Sequence, residues 1–380
     1  MYGGFRRVAA VHEAESMADT ESGGSSDETS LDNAKAEFVA ERDGNYAQNL
    51  EYSLENWIDW CGDRDVDTLE EVSPLTMRNY ASHLKRRVHA DAISASTAQT
   101  YYNYVSALLA RSVEVGVLGE NPAEKREARK PLPAATTNSG DQQFWHPEQR
   151  AVLVEYVDER ARAAIDERGA DAFEAVRDRA LITVLAYTGV RGSEVVADSR
   201  HDRRNGLRWS DVDLENGVIQ VFGKSQDREE VGLTGQTIDP LRRLRSLVDP
   251  PAESWPVFPS RHPPSLYERI RDAGHDVPDA DPWAFVLENA IEPPSMSTSG
   301  TRTLLKRLSN EADVPGLADD EYLTLHGARR GVGETLYREH GAQRAQRTLR
   351  HADPKTTSTM YSHIEASELG ADNTEVFDSE

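Results

Sequence analysis

The sequence predicts a mainly α protein with a small β-sheet, split into an N-terminal helical domain and a C-terminal α+β domain. Three observations carry this. Before residue 124, apolar residues recur at helical spacing and no segment alternates. A stretch containing Pro, Thr, Ser and Gly then interrupts the pattern. Beyond it, an alternating and β-branched segment, Gly217–Phe222, lies among further helical runs.

Residues 1–34 are rich in Gly, Ser, Asp and Glu, cannot bury enough apolar surface to fold, and are expected to be a disordered acidic tail. Met17, followed by Ala-Asp-Thr-Glu-Ser, is an alternative start, and a protein beginning there is expected to be fully active. The first domain is expected over 35–124. A run from Lys35 to Trp60 carries Ala47, Leu50, Leu54, Trp57 and Ile58 on one face. Ser73-Pro74 supplies an N-cap and a first-turn proline for a second helix burying Met77, Tyr80, Leu84 and Val88. Ser96 is expected to cap a third, with Tyr101, Tyr104, Leu108 and Leu109 inward, closed by Gly119 and Asn121-Pro122.

Residues 125–142, basic first and then rich in Pro, Thr, Ser and Gly, are expected to be a linker. The second domain, 143–365, opens with helices at about 147–166 and 173–188. The strand Gly217–Phe222, a turn over Gly223–Glu229 and a second strand, Glu230–Leu233, make a hairpin. Beyond Asp239-Pro240 the pattern is helical, with a Pro-rich loop around 250–264, and an acidic tail follows over 366–380.

Cys61 is the only cysteine, which excludes internal disulfides and a thiolate zinc cluster. No apolar run reaches the length of a membrane span and no signal-peptide pattern opens the chain, so a cytoplasmic protein is expected. The net charge is −23, from 43 Lys and Arg against 66 Asp and Glu. Such a balance ordinarily argues against a nucleic-acid partner, because phosphates attract cations. The seven lysines (35, 85, 125, 130, 224, 306, 355) point instead to a surface adapted to a very salty cytosol, as in a halophilic archaeon. At molar salt the screening length is only about 3 Å, so long-range repulsion from DNA nearly vanishes and short-range arginine contacts decide binding.

Four segments of the second domain hold residues suited to chemistry. Tyr187-Thr188-Gly189-Val190-Arg191-Gly192-Ser193-Glu194 presents Arg191 at the start of a helix, where its guanidinium can fork onto phosphate oxygens. The plainer reading is an arginine beside Glu194 on a solvated helix end. Lys224 lies at the hairpin tip. A turn lysine is ordinarily just solubilising. His326 and Arg329 share one helix face at i, i+3. The pattern itself is common, recurring at His83–Arg86 and His201–Arg204. In the last segment, Leu349-Arg350-His351 is expected to end a helix, a Thr-rich turn follows, and Tyr361 opens a further stretch before Ser362-His363.

Taken in order, these segments resemble the tyrosine recombinase family, also called the phage integrase family, which includes the Xer recombinases. Arg191 stands in a TGxRxSE-like box, Lys224 in the hairpin, His326 and Arg329 in an HxxR box, His351 in an LGH-like box, and Tyr361 ten residues later. The first domain resembles the family's helical core-binding (SAM-like) domain, so the resemblance covers about 35–365. Three features depart from the pattern: the lengthened link 196–206, an insertion at about 261–300, and Arg350 where the family more often has glycine.

The resemblance implies a site-specific recombinase or integrase that cuts and rejoins double-stranded DNA through a 3′-phosphotyrosyl link to Tyr361, without metal, cofactor or ATP. It implies that Arg191 and Arg329 clamp the phosphate, His326 takes the tyrosine proton, His351 bonds the phosphate, and Lys224 protonates the leaving oxygen. It also implies a homo-tetramer on paired sites and no membrane partner. Lys85, Arg86, Arg87, Arg126, Arg129 and Lys130 are the candidate DNA-phosphate contacts. The alternatives are a Xer-type dimer resolvase, a type IB topoisomerase-like enzyme and a non-catalytic DNA-binding regulator. A metal-dependent hydrolase built on His326, His351 and His363 lacks carboxylates at ligand spacing.

Overall fold

The computed structural model describes residues 29–42, 44–134, 142–198, 201, 203–223, 227–279 and 281–361. The chain divides into two compact units, the first ending at Ala135 and the second running from Thr136.

The first unit is helical: α1 (Leu31–Ala40), α2 (Gly44–Gly62), α3 (Pro74–His89), α4 (Ala95–Glu114) and α5 (Arg126–Arg129). Serines start three of these helices. The Ser30, Ser73 and Ser94 side chains accept from the main-chain N–H groups of Asn33, Thr76 and Thr97. The run expected over Lys35–Trp60 is two helices, because Gly44 takes φ 68° and breaks it. The first of them begins at Leu31, inside the stretch expected to be disordered, because Leu31, Ala34 and Phe38 form a buried face. The third helix starts at Ser94 rather than Ser96, and its innermost tyrosine is Tyr102, with Tyr101 and Tyr104 half-buried. The reason lies downstream: the chain after Asn121 folds back, and the Ala123 carbonyl accepts from the Tyr102 hydroxyl at 2.9 Å. Arg126–Arg129, expected in the linker, is helical and buries Ala128 in this unit's core.

In the second unit α6 (Pro147–Arg168) packs on α7 (Phe173–Thr188), a central helix buried on nearly every side. Arg160, Arg177 and Arg307 surround the buried carboxylate of Asp178, with contacts of 2.7–3.3 Å. After α8 (Gly192–Val195), the described residues form a three-stranded antiparallel sheet of β1 (Val212–Asp213), β2 (Val218–Phe222) and β3 (Arg228–Gly232). The expected hairpin thus gains a short third strand, and its turn is shorter than expected because Arg228 already pairs with Phe222. The helix α9 (Gly235–Val248) contains Pro240, a residue expected to precede the helix. Insertion 261–300 carries α10 (Pro263–Asp272) and α11 (Pro282–Glu288) before α12 (Thr298–Glu311). The C-terminal part is α13 (Leu325–Leu349), broken at Gly341, and α14 (Pro354–Met360). The Thr-rich stretch is therefore helical, with Tyr361 at its C-cap, and the further segment expected after Tyr361 lies outside the described residues. Among the described residues no helix is long and apolar enough to cross a membrane.

Candidate active site

Close backbone approach assembles the site. Gly189 ends α7 in the left-handed region, at φ 71°, and turns the chain toward Arg191. A Cβ there would lie 3.1 Å from Leu349, and one on Gly192 would lie 2.9 Å from Leu325. The first box therefore lays glycine backbone directly on leucine side chains at both ends of α13. The start of α13 is pinned in turn. Thr324 caps it, and the Gln143 and Trp145 side chains bond the Thr324 main chain at 2.6 and 2.9 Å.

Arg329 is buried and ties two boxes together. One guanidinium nitrogen donates to the Gly189 carbonyl at 2.6 Å and another donates to the Leu349 carbonyl. Burial, with Arg191 nearby, pushes its pKa down to about 10, so it remains a cation at neutral pH. Arg191 is part-buried, with Nη1 at 2.7 Å from Glu194 Oε1 and its main-chain N–H at 2.7 Å from Oε2. Glu194 is not on a solvated helix end: its side chain has 0% exposure. Burial alone would raise its pKa, but Arg350 and the hydrogen bonds from Arg191 outweigh burial and hold the carboxyl below its ordinary range.

Both histidines sit among these cations. His326 is depressed by burial and then by Arg330, Arg329, Arg191 and Arg302. His351 is pushed down to about 4 by burial, Arg329 and Arg191, and its Nδ1 lies 2.9 Å from Thr357 Oγ1. Both rings are thus neutral at pH 7, the state in which an imidazole can accept a proton.

The His351 shift also affects stability. Unfolded His351 titrates near 6.5 and folded His351 near 4, so between those values the unfolded chain binds more protons. Its contribution is therefore present above pH 6.5 and lost as pH falls toward 4. The stability of wild type relative to His351→Gln, read from melting curves, should fall as pH drops through this range. Parallel curves would show that the ring is not held neutral.

Tyr361 is fully buried between Phe144 and Tyr337, with ring centroids at 6.3 and 5.3 Å. Its hydroxyl donates to the Arg330 carbonyl at 3.3 Å. Gly333 makes this room, since a Cβ there would lie 1.9 Å from the hydroxyl. Burial raises the phenol pKa above its ordinary value, against the opposing pull of Arg329. In this position the tyrosine is protonated and shielded.

The structure thus brings Arg191, His326, Arg329 and His351 together, with Tyr361 buried beside them. Lys224 and the 366–380 tail lie outside the described residues. Sequence reasoning missed Arg302 and Arg330 beside His326, and Thr357 against His351. No motif in the sequence singles these three out, although the glycines of α13 (Gly327, Gly331 and Gly333) mark where Trp145 and Tyr361 pack closely against that helix. Of the candidate DNA contacts, Lys85, Arg86 and Arg87 lie on α3, Arg126 and Arg129 on α5, and Lys130 just after it. The two helices pack together, and all of these residues except the half-buried Arg87 are exposed. Arg129 already donates to Asn103 at 2.8 Å, and Lys130 lies 3.9 Å from Glu127.

This fold is shared with solved tyrosine recombinase structures. The Tn1549 transposon integrase in complex with circular intermediate DNA aligns with a TM-score of 0.54 at 14% identity, over 88% of this chain and 95% of that one. The XerH site-specific recombinase bound to palindromic difH substrate, a post-cleavage complex, aligns at 0.55 and 15% identity, over 86% and 79%. In sequence, the tyrosine recombinase XerC of Xanthomonas axonopodis pv. citri is 29% identical over 213 residues, 55% of this chain and 62% of that protein. XerC of Xylella fastidiosa (strain 9a5c) is 33% identical over 87 residues, 23% of this chain and 26% of that one. The chain therefore spans less than two thirds of the length of these curated relatives. The phage integrase family model matches residues 159–368, more than half of the chain. The chain belongs to the phage integrase family.

Proposed function

We propose that this protein is a site-specific tyrosine recombinase that cleaves and rejoins DNA through a 3′-phosphotyrosyl bond to Tyr361. The observation that carries this is the convergence of Arg191, His326, Arg329 and His351, from three separate segments, beside a tyrosine. Two guanidiniums neutralise the non-bridging oxygens as charge develops on them. Neutral His326 takes the phenolic proton, His351 bonds the phosphate, and Lys224 protonates the departing 5′-oxygen. Tyr361 must first leave its pocket, since a fully buried hydroxyl cannot reach a DNA phosphate. The covalent link keeps the energy of the broken bond, so rejoining is its reverse.

The relatives named XerC and the long insertion 261–300 pull the biological role in different directions. We favour a mobile-element integrase acting as a homo-tetramer on paired sites. The exposed cations of α3 and α5 contact phosphates, and the acidic surface belongs to a cytoplasm of high salt.

The test is trapping of a covalent adduct on duplexes with and without candidate sites, in KCl rising from tenths molar to molar. Adduct that requires Tyr361, depends on the site and increases with salt is expected, because screening relieves the self-repulsion of a −23 chain. Relaxation of any supercoiled DNA without site dependence would favour a topoisomerase. Best activity in dilute buffer would refute the high-salt assignment.

A further inference from the structure

Arg350 stands where a backbone wants glycine. It caps α13 at φ 53°, ψ 47°, in the left-handed region, and its N–H bonds the Arg347 and Gln346 carbonyls. A side chain in this region costs about 1 kcal/mol or more relative to glycine, so the arginine is retained against its backbone preference. Its side chain is not dangling in solvent either. It is 12% exposed, with Nη2 at 2.6 Å from Glu194 Oε2 and Nε at 3.4 Å from Glu229 Oε2.

The two partners matter because of what they hold. Glu194 is the buried carboxylate that grips Arg191 through both its side chain and its main-chain N–H. Left alone, that carboxylate would cancel much of the Arg191 charge. With Arg350 on its other side, the Glu194 carboxylate is shared by two cations instead of being held by Arg191 alone. Glu229 lies on β3, packed against the hairpin backbone: a Cβ on Gly223 would fall 2.5 Å from its carboxyl carbon. Gly223 itself donates to the Asp227 carbonyl at 2.9 Å. One guanidinium therefore hydrogen-bonds the end of α13 to the first box and faces the sheet through an ion pair.

We infer that Arg350 is a positioning residue: by pairing with Glu194 and Glu229 it fixes the carboxylate that orients Arg191 toward a DNA phosphate. The inference rests on the recombinase function proposed above. It assigns Arg350 no contact with the reacting atoms.

The test compares Arg350→Gly, Arg350→Gln and Arg350→Lys in the full chain. Each is assayed for melting temperature, DNA affinity and single-turnover cleavage at saturating duplex. Glycine suits the backbone, so Arg350→Gly should fold and bind DNA like wild type. Its cleavage rate should fall about tenfold to a hundredfold, the range for losing a charged hydrogen bond next to a transition-state contact. Arg350→Gln should be as slow, and Arg350→Lys should recover most of the rate because it restores the cation. Wild-type cleavage by Arg350→Gly would overturn the inference. So would equal rates for Arg350→Gln and Arg350→Lys, a comparison that decides even if the glycine variant fails to fold. A wild-type protein that forms no adduct would overturn the recombinase function, and this inference with it.

Discussion

Tyr361→Phe is expected to form no covalent adduct while binding DNA and melting as wild type does. The substitution removes a single hydroxyl, whose hydrogen bond to the Arg330 carbonyl is a long one at 3.3 Å. That acceptor lies inside α13, so losing the bond should shift stability by only about 1 kcal/mol. The ring keeps its packing against Phe144 and Tyr337. Chemistry and folding are thus separable at this position. Denaturing gels of labelled duplex would show it: a detergent-resistant complex at wild-type level in the variant moves the nucleophile elsewhere.

The second large effect is expected at Arg191. Arg191→Ala should slow cleavage by roughly 10²–10³-fold, the range for losing one transition-state charge donor. Arg191 is a cleaner target than Arg329. The Arg329 guanidinium is bonded to the carbonyls of Gly189 and Leu349, so its removal would disturb the fold as well. When Arg191 is lost, Glu194 still has Arg350 to hold it. A duplex with 5′-bridging sulfur sharpens the result. Its leaving group needs no proton, so it should rescue Lys224→Ala, itself slowed by roughly 10²–10⁴-fold, and leave Arg191→Ala slow. An Arg191→Ala variant within a few-fold of wild type would remove that residue from the phosphate clamp.

Helix faces were legible wherever a cap and an apolar period coincided. Ser73-Pro74 with Met77, Tyr80, Leu84 and Val88 is such a case: the structure buries the first three and half-buries Val88 near the helix end. Tyr101 against Tyr102 shows the limit. Two adjacent tyrosines fit the period equally well, and only a carbonyl from beyond Asn121 selects Tyr102. The left-handed turn at Gly44 shows another limit: a glycine between two apolar runs reads as tolerated until the backbone takes φ 68°.

By itself the sequence determined the main helical runs, the one alternating strand, and the residue types that phosphodiester chemistry requires. Each of these rests on local periodicity or on chemical identity, which a linear chain carries in full. Tertiary structure decided the rest. It put Arg329 between the ends of α7 and α13, seated Tyr361 in a closed pocket opposite Gly333, and made Glu194 a shared anion of Arg191 and Arg350. Apart from the local Arg191–Glu194 pair, these are contacts between residues 20 to 156 positions apart. Spacing along the chain cannot encode them, because burial and charge at each group depend on what the fold packs against it.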